Sequence, residues 1–368
     1  GESARIRGGE IRAMPGGLED LSRALKTFPG VSQVSDVSNE LMVRGGSPWE
    51  NGYYIDNIPV LDINHFQNQG NSGGLIGIVE TALIDDVGFS PGGFSAAFGD
   101  RMSSITEIRL KEGAADRMRR RLRLNTMGFG GGLEAPLFGG RGSLSVSLRR
   151  NYHDILAGLV GYGVAPRFGD GLVKLALDLG PRDRVRVVGL AGASRLAWDL
   201  ETAVEEGINN ALDYETRQAT AGLDWRRLWT SGVSETSLAY ASYSNGYDLT
   251  SVDDRSRIYL ADTGRRALTL RNVNTWQASP RSRLVFGLDL LGERERFHNY
   301  YASRVSRWDW PLPETSLAGD HSAVKAGAFL EYTARPGRPW SVSLGVRADY
   351  FSFTGRGSVS PRASCSMA

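Results

Sequence analysis

From Arg119 onward, apolar side chains recur at every second position, and no other feature constrains the fold of this chain as strongly. Leu144, Val146 and Leu148 alternate with Ser143, Ser145 and Ser147, and Val173, Leu175, Leu177 and Leu179 alternate with Lys174 and Asp178. The same beat returns in Leu284-Phe286-Leu288-Leu290 against Gly287 and Asp289, and in Val324-Ala326-Ala328-Leu330-Tyr332 against Lys325 and Glu331. It closes with Val342-Leu344-Val346 against Ser343, Gly345 and Arg347. Successive side chains of a strand point to opposite faces, so these segments read as β-strands with one apolar face and one polar face. A soluble sandwich and a membrane barrel share that pattern, so alternation alone leaves both open.

The connections discriminate further. Short links at Gly180 to Asp183, Thr230 to Gly232, Ser279 to Ser282 and Pro336 to Pro339 alternate with long ones near Asn151 to Asp170, Arg195 to Tyr214, Asn245 to Gly264 and Asn299 to His321. Tight turns at one end and long loops at the other are the pattern of an antiparallel meander crossing an outer membrane, and a Greek-key sandwich does not produce it. Trp225, Trp229, Trp276 and Trp340 fall at or near strand ends, where interface belts place aromatics. No run approaches the roughly eighteen apolar residues of a transmembrane helix, whereas a transmembrane strand needs only about ten alternating ones. A mean hydropathy of -0.27 is compatible with that, as are 46 glycines and 13 tyrosines. A net charge of +2 argues against general nucleic-acid binding. The dense basic run Arg117-Met118-Arg119-Arg120-Arg121-Leu122-Arg123 reads as a charged rim at a strand start. One cysteine, Cys365, rules out an intrachain disulfide.

Residues 1–113 mix helix and strand. Leu18, Leu21, Leu25 and Phe28 predict one amphipathic helix of roughly three turns, stopped by Pro29-Gly30. Candidate strands are Glu40 to Arg44, Tyr53 to Pro59, Ala82 to Phe89 and Ser104 to Lys111, with a short helix at Phe94 to Phe98. Within this part the stretch Leu41 to Val60, LMVRGGSPWENGYYIDNIPV, is followed by Ile78 to Gly113. Pro29-Gly30-Val31, Arg44-Gly45, Asp56-Asn57-Ile58-Pro59, Gly92-Gly93-Phe94 and Phe98-Gly99-Asp100-Arg101 stand in order and at the spacing of a plug domain. The chain therefore resembles the TonB-dependent outer-membrane receptors. Ser104-Ile105-Thr106-Glu107-Ile108 replaces the commoner VNI-type strand and is similar to the subgroup that often carries an N-terminal carboxypeptidase-regulatory-like domain.

The resemblance implies an α+β plug domain over 1–113, followed over 114–368 by the N-terminal part of an antiparallel transmembrane β-barrel. If the chain enters the barrel from the periplasm, its first connection is external, which requires a break near Gly128 in the long strand Arg119 to Pro136. The expected count is then about eleven strands, with a twelfth barely begun at Ser360-Pro361-Arg362. That is roughly half of the about 22 strands of a plugged transporter, so an incomplete barrel is expected. Neither a signal peptide nor a coupling box is expected within the sequence, which opens on Gly1-Glu2-Ser3.

No catalytic or phosphate-binding motif occurs, and His65, His153, His298 and His321 are too scattered for a ligand set, so the chain reads as neither an enzyme nor a metal or cofactor protein. Charges on or beside apolar strands require partners when buried. The resemblance implies plug-barrel contacts for Arg44, Asp56, Asp100 and Arg101; salt bridges inside one soluble domain are the alternative. Ligand contact is expected on outward plug loops at Trp49, Glu50 and Asn51, and at Asn64, His65, Phe66, Gln67, Asn68 and Gln69, whose amides and rings suit a polar solute. The implied function is active uptake of a scarce solute of the siderophore, cobalamin or oligosaccharide class across a Gram-negative outer membrane. The implied partners are a TonB-type energy-transducing inner-membrane complex, the small-molecule ligand and outer-membrane lipid, with no nucleic acid. A passive or adhesive outer-membrane barrel and a soluble β-rich binding protein are the competing readings.

Overall fold

The structure, a computed structural model, describes residues 4–15, 17, 19–33, 35, 38–69, 72–125, 128–159, 164–305, 310–337 and 339–367. No helix among them is long and apolar enough to cross a membrane. The first part is built on a five-stranded sheet of β1 (Ala4–Arg7), β2 (Asn51–Ile55), β3 (Ile58–Val60), β4 (Ile84–Ser90) and β5 (Ser104–Leu110), in the spatial order β1-β4-β5-β2-β3. Only the β2/β5 pair is parallel. Two short ladders, Val31–Gln33 with Leu41–Val43 and Asn64–His65 with Ile76–Gly77, extend it. Helices α1 (Gly8–Ala13) and α2 (Leu21–Leu25) cover one side.

The observed elements correct several expectations. The three-turn helix shrinks to α2, because Asp20 caps it by accepting from the Ser22 and Arg23 amides at 2.8 and 3.4 Å while Glu19 before it holds φ 56°. Leu18 lies outside the described residues. Tyr53 to Pro59 is a hairpin rather than one strand. Asp56 and Asn57 adopt φ 46° and 68°, both in the left-handed region that a two-residue type I′ turn demands and that Asp and Asn tolerate. Phe94 to Phe98 is not helical. Its carbonyls turn outward to arginines of the wall: Phe94, Ser95 and Phe98 accept from Arg362, Ala96 from Arg347 and Ala97 from Arg271. Carbonyls satisfied from outside no longer need the i to i+4 ladder.

The second part is a twelve-stranded antiparallel meander with every strand beside its sequence neighbour. Its strands are β6 (Arg119–Asn125), β7 (Gly128–Leu137), β8 (Gly142–Arg150), β9 (Arg167–Asp178), β10 (Asp183–Trp198), β11 (Asn210–Trp229), β12 (Gly232–Ser251), β13 (Arg257–Ser279), β14 (Ser282–Tyr301), β15 (Thr315–Gly337), β16 (Trp340–Phe351) and β17 (Arg356–Met367). The sheet is open: β6 and β17 each pair on one side only among the described residues. Splitting the first long strand near Gly128 matches β6 and β7. The twelfth strand, expected as a bare start, has 12 residues and includes Pro361.

Several segments that read as external loops are strand. Asn245 to Gly264 is almost wholly taken up by β12 and β13, which are connected through 252–256 alone. At 23 residues β13 is about 75 Å long, and at a tilt of about 40° it rises well past an apolar band of about 25 Å. Its outer end therefore stands beyond the apolar band, where Ile258, Tyr259 and Leu260 are consecutive and the alternation with polar residues is lost.

Inward side chains close onto the first part. Its apolar core, Ile55, Ile58, Ile84, Val87, Phe89 and Ile108, continues without a break into Leu172, Val188, Leu190 and Ala239 of the wall. Outward positions such as Leu238, Tyr240, Leu268, Leu288 and Leu344 stay exposed for hydrocarbon. Where the plug comes nearest, the wall uses glycine: a Cβ on Gly222 would lie 2.8 to 3.0 Å from three Ile58 side-chain atoms, and one on Gly192 would lie 2.4 Å from Ile78.

Candidate functional site

Two regions of plug-wall contact carry the chemistry. The lower one is organised by the β2–β3 turn. Its left-handed backbone projects Asp56 outward from the plug, where the carboxylate lies 2.9 Å from Lys174 Nζ, both side chains being 1% exposed. Lys174 also donates to the Leu110 carbonyl at 2.8 Å and faces Glu112 at 3.4 Å. Arg186, 3.9 Å from Asp56, is held by Asp224 at 2.6 Å and Glu235 at 3.1 Å. Asn57 donates to Asp224 at 3.0 Å and accepts from Arg271 Nε at 3.1 Å. Arg271 and Arg347 then share Asp289 at 2.8 and 2.9 Å, while Glu331 accepts from the Ala96 amide at 2.8 Å. The arginines also lie against plug rings: Arg271 is 5.1 Å from Tyr54 and 5.0 Å from Phe98.

Four charged plug residues were expected to meet the wall, and the structure places them differently. Asp56 pairs with Lys174 and Asp100 faces Lys325 at 3.4 Å. Arg101 donates to the Trp49 carbonyl at 3.2 Å within the plug. Arg44 is exposed at φ 51°, packed over Gly30 and Gly92, with no ion pair among the described residues. The wall partners Lys174, Arg186, Asp224, Arg271 and Arg362 were not anticipated. The available signal was a charge on the polar face of an alternating strand, most plainly Lys174, one of four lysines in the chain.

The upper region surrounds the loop that follows β3. Asn64 is fully buried: its amide oxygen accepts from Ser22 and Asn39 at 3.0 Å each. His65 is 1% exposed and hydrogen-bonds Asp170 at 3.0 Å, beside the Phe168 ring. The Phe66 amide donates to Ser194, and its ring meets Phe168 and Tyr214. The Gln67 carbonyl accepts three bonds from the wall, from Tyr214 at 2.7 Å, Asn245 at 2.9 Å and Tyr243 at 3.1 Å. These residues therefore fix the loop. Asn68 and Gln69, beyond them, open onto a cavity of about 800 Å³.

Its other wall carries Tyr247, Tyr259 and Tyr301, which continue a ladder of tyrosines from four consecutive strands: Tyr214 to Tyr247 at 5.2 Å, Tyr247 to Tyr259 at 5.4 Å and Tyr259 to Tyr301 at 5.1 Å between ring centres. Tyr214 and Tyr247 are direct cross-strand partners, as are Tyr259 and Tyr301. Asn299 and Arg304 complete the lining. Trp49, Glu50 and Asn51 do not line this cavity. Trp49 is exposed, Glu50 accepts from Ser103 at 2.6 Å, and Asn51 is buried, tying Leu41, Pro48 and Ser104 together.

Burial lowers the His65 pKa, and Asp170 opposes this only in part because Arg149 already neutralises it at 2.7 Å. The fold thus favours neutral imidazole. A base depressed on folding contributes its full stability above its unfolded value of about 6.5 and loses it as pH falls below that. The loop Asn64 to Gln69 is accordingly expected to exchange amide hydrogens faster at pH about 5.5 than at about 7.5, after correction for intrinsic rates. His65→Asn should flatten the difference; an equal difference in that variant would assign it elsewhere. No group of three or more His, Cys, Asp or Glu side chains placed to hold an ion occurs among the described residues.

The family model described as TonB dependent receptor-like, beta-barrel, matches residues 131–366. The chain belongs to this family. Members are transport receptors rather than enzymes, and this is an outer-membrane protein. Solved structures that share the fold include these three. A mutant of the ferric enterobactin receptor PfeA from Pseudomonas aeruginosa, in complex with enterobactin, is 18% identical with TM-score 0.69, covering 100% of this chain and 60% of its own. The outer membrane transporter YddB from Escherichia coli is 13% identical with TM-score 0.69, covering 99% and 58%. The copper transporter OprC is 14% identical with TM-score 0.67, covering 99% and 58%. The chain thus spans about three fifths of the length of these receptors. No curated protein sequence matches it.

Proposed function

We propose that this chain supplies the plug and adjoining wall of a receptor for active uptake of a scarce organic solute, energised by a TonB-type inner-membrane complex. Residues 1–113 act as the movable unit and 114–368 as the wall. The observation that carries this reading is the cavity between Asn68-Gln69 and the tyrosine ladder. Rings spaced about one strand apart, 5.4 and 5.1 Å between centres, stack on flat or ring-bearing ligands, and the amides of Asn68, Gln69 and Asn299 offer both donors and acceptors around them. A solute of the siderophore, cobalamin or oligosaccharide class has that combination of rings and peripheral polar groups. Trp49 and Glu50 are assigned an accessory role on the plug surface, Asn51 and Arg101 a role in holding their loop, and Asp100 a role in seating the plug against Lys325.

Gln67 links the two regions in this reading. Its carbonyl is held by three wall side chains immediately before the cavity, so a ligand that engages Asn68 and Gln69 changes the same loop that fastens the plug apex.

Binding to the purified receptor tests the assignment. With the cognate member of a panel of ferric siderophores, cobalamin and oligosaccharides, Tyr259→Ala/Tyr301→Ala should weaken affinity by about 10- to 100-fold. Trp276→Ala, on the outer face near a turn, should leave it unchanged. Undiminished affinity in the tyrosine variant would move the site away from the ladder.

A further inference from the structure

The outward face of the wall carries a band of arginines that does not line the cavity at Asn68 and Gln69. Alternation identifies which side chains point outward. Arg150 follows Arg149, which reaches the plug; Arg195 follows Ser194, which bonds Phe66; Arg217 precedes Gln218, which bonds the Asn64 carbonyl. Arg150, Arg167, Arg195 and Arg217 therefore all face away from the lumen, and together they rim an open groove of about 1230 Å³ floored by Gly130, Gly131 and Gly169. A second trough of about 370 Å³ continues from its Val146 and Leu148 wall over Gly171, Gly189, Ala191 and Ala221. A neighbouring cleft shares Arg217 and adds Arg266, Arg294 and Arg296.

The charges are only partly neutralised. Arg150 and Arg167 share the single carboxylate of Asp154 at 3.0 Å each. Arg195 pairs with Asp213 at 2.9 Å, Arg294 with Asp320 at 2.7 Å, and Arg217 with Glu215. Arg296 lies cross-strand from Asp320, the carboxylate that Arg294 already holds, and Arg266 lies cross-strand from Arg294. Cations thus outnumber anions along this surface.

Its height suits a lipid headgroup. Arg217 and Trp229 lie on the same strand and the same face, and at about 3.3 Å per residue and a tilt of about 40° they are about 30 Å apart along the membrane normal. That exceeds the apolar band of about 25 Å by roughly one headgroup layer's depth into the interface. With the tryptophans near the short turns marking the inner interface, the arginines lie at the outer one, directly above a trough made of glycine, alanine and valine.

We propose that this face binds a phosphate-bearing lipid of the external leaflet, its phosphate on Arg150, Arg167, Arg195 and Arg217 and its acyl chains along the Gly171-Gly189-Ala191 trough. Arginine presents a planar fork to phosphate oxygens, and a floor without side chains leaves room for a chain to lie against backbone. The proposal rests on the outer-membrane placement and is independent of the solute, so a receptor inactive in uptake passes or fails the same test.

The complete receptor is reconstituted in nanodiscs of phosphatidylcholine with a minor fraction of phosphatidic acid, and lipid retained on extraction into detergent is counted by native mass spectrometry. Phosphatidic acid should be enriched roughly tenfold over its bulk share. Arg150→Gln/Arg167→Gln/Arg217→Gln, all exposed side chains, should abolish the enrichment, and Ala191→Phe/Ala221→Phe should lower retention of any lipid while the arginines remain. Heat-modifiable gel mobility verifies that each variant is folded. Equal retention of both lipids by the unaltered receptor, or full enrichment in the arginine variant, overturns the proposal. Complete displacement by inorganic phosphate also overturns it, in favour of a free-anion site.

Discussion

Lys174→Met is expected to destabilise the protein by about 3–5 kcal/mol, the cost of leaving a buried carboxylate without its counter-charge. Asp56 is 1% exposed at its side chain, and its remaining cation, Arg186, is 3.9 Å away and already engaged by Asp224 and Glu235. Methionine fills a similar volume, so packing changes little while the charge vanishes. Asp56→Asn should be costly for the converse reason, leaving the buried Lys174 ammonium only the Leu110 carbonyl and the half-exposed Glu112. In the double variant neither charge remains, and stability should return to within about 1–2 kcal/mol of the unaltered protein. Urea unfolding in detergent micelles measures all four corners of this cycle. Single and double losses that simply add would mean that the pair does not couple plug to wall.

The second large effect is expected at Asp289. This carboxylate bridges Arg271 and Arg347, each only 4% exposed at its side chain, and Asp289→Ala leaves the Arg271 guanidinium with no carboxylate among the described contacts. Arg347 keeps Asp349 at 2.8 Å. A loss of about 3 kcal/mol is expected, and it should appear as release of Phe94 to Phe98, whose Ala96 and Ala97 carbonyls these arginines hold. Limited proteolysis should then cut within that segment in Asp289→Ala and leave it intact in Leu288→Ala, a neighbour facing outward. Identical cleavage in both variants would show that the arginines do not depend on Asp289 for their orientation.

Both effects arise in contacts that sequence reasoning located only by half. The alternation at Val173 to Leu179 and Val342 to Val346 identified the faces on which Lys174 and Arg347 lie, since a period of two follows directly from strand geometry. Asp56 was singled out as a charge on an apolar strand in need of a partner. The partner itself was not legible. Lys174 meets Asp56 only because β9 and the β2–β3 turn arrive at one height, and that height depends on how the whole plug seats against the wall.

The failures have specific physical causes. Phe94 to Phe98 has helical spacing of its phenylalanines, but local propensity is weak beside charge-assisted bonds from three arginines. Strand ends were misjudged at Asn245 to Gly264 because a strand beyond the membrane needs no apolar outer face, so polar and apolar residues there, such as Ile258-Tyr259-Leu260, do not alternate. The tyrosine ladder was missed for a different reason. Tyr214, Tyr247, Tyr259 and Tyr301 are unremarkable one at a time, and only the register of β11 to β14 brings them into a row.

The sequence by itself determined the antiparallel meander, the split at Gly128, the polar inner face and the family, because hydrophobic period, turn residues and motif spacing are local properties. Only the tertiary structure decided which charges meet, which loop residues are buried as fasteners and which open onto the cavity. Those contacts join residues as far as 268 positions apart. Their energy depends on burial and distance, neither of which exists until the sheet has curved around the plug.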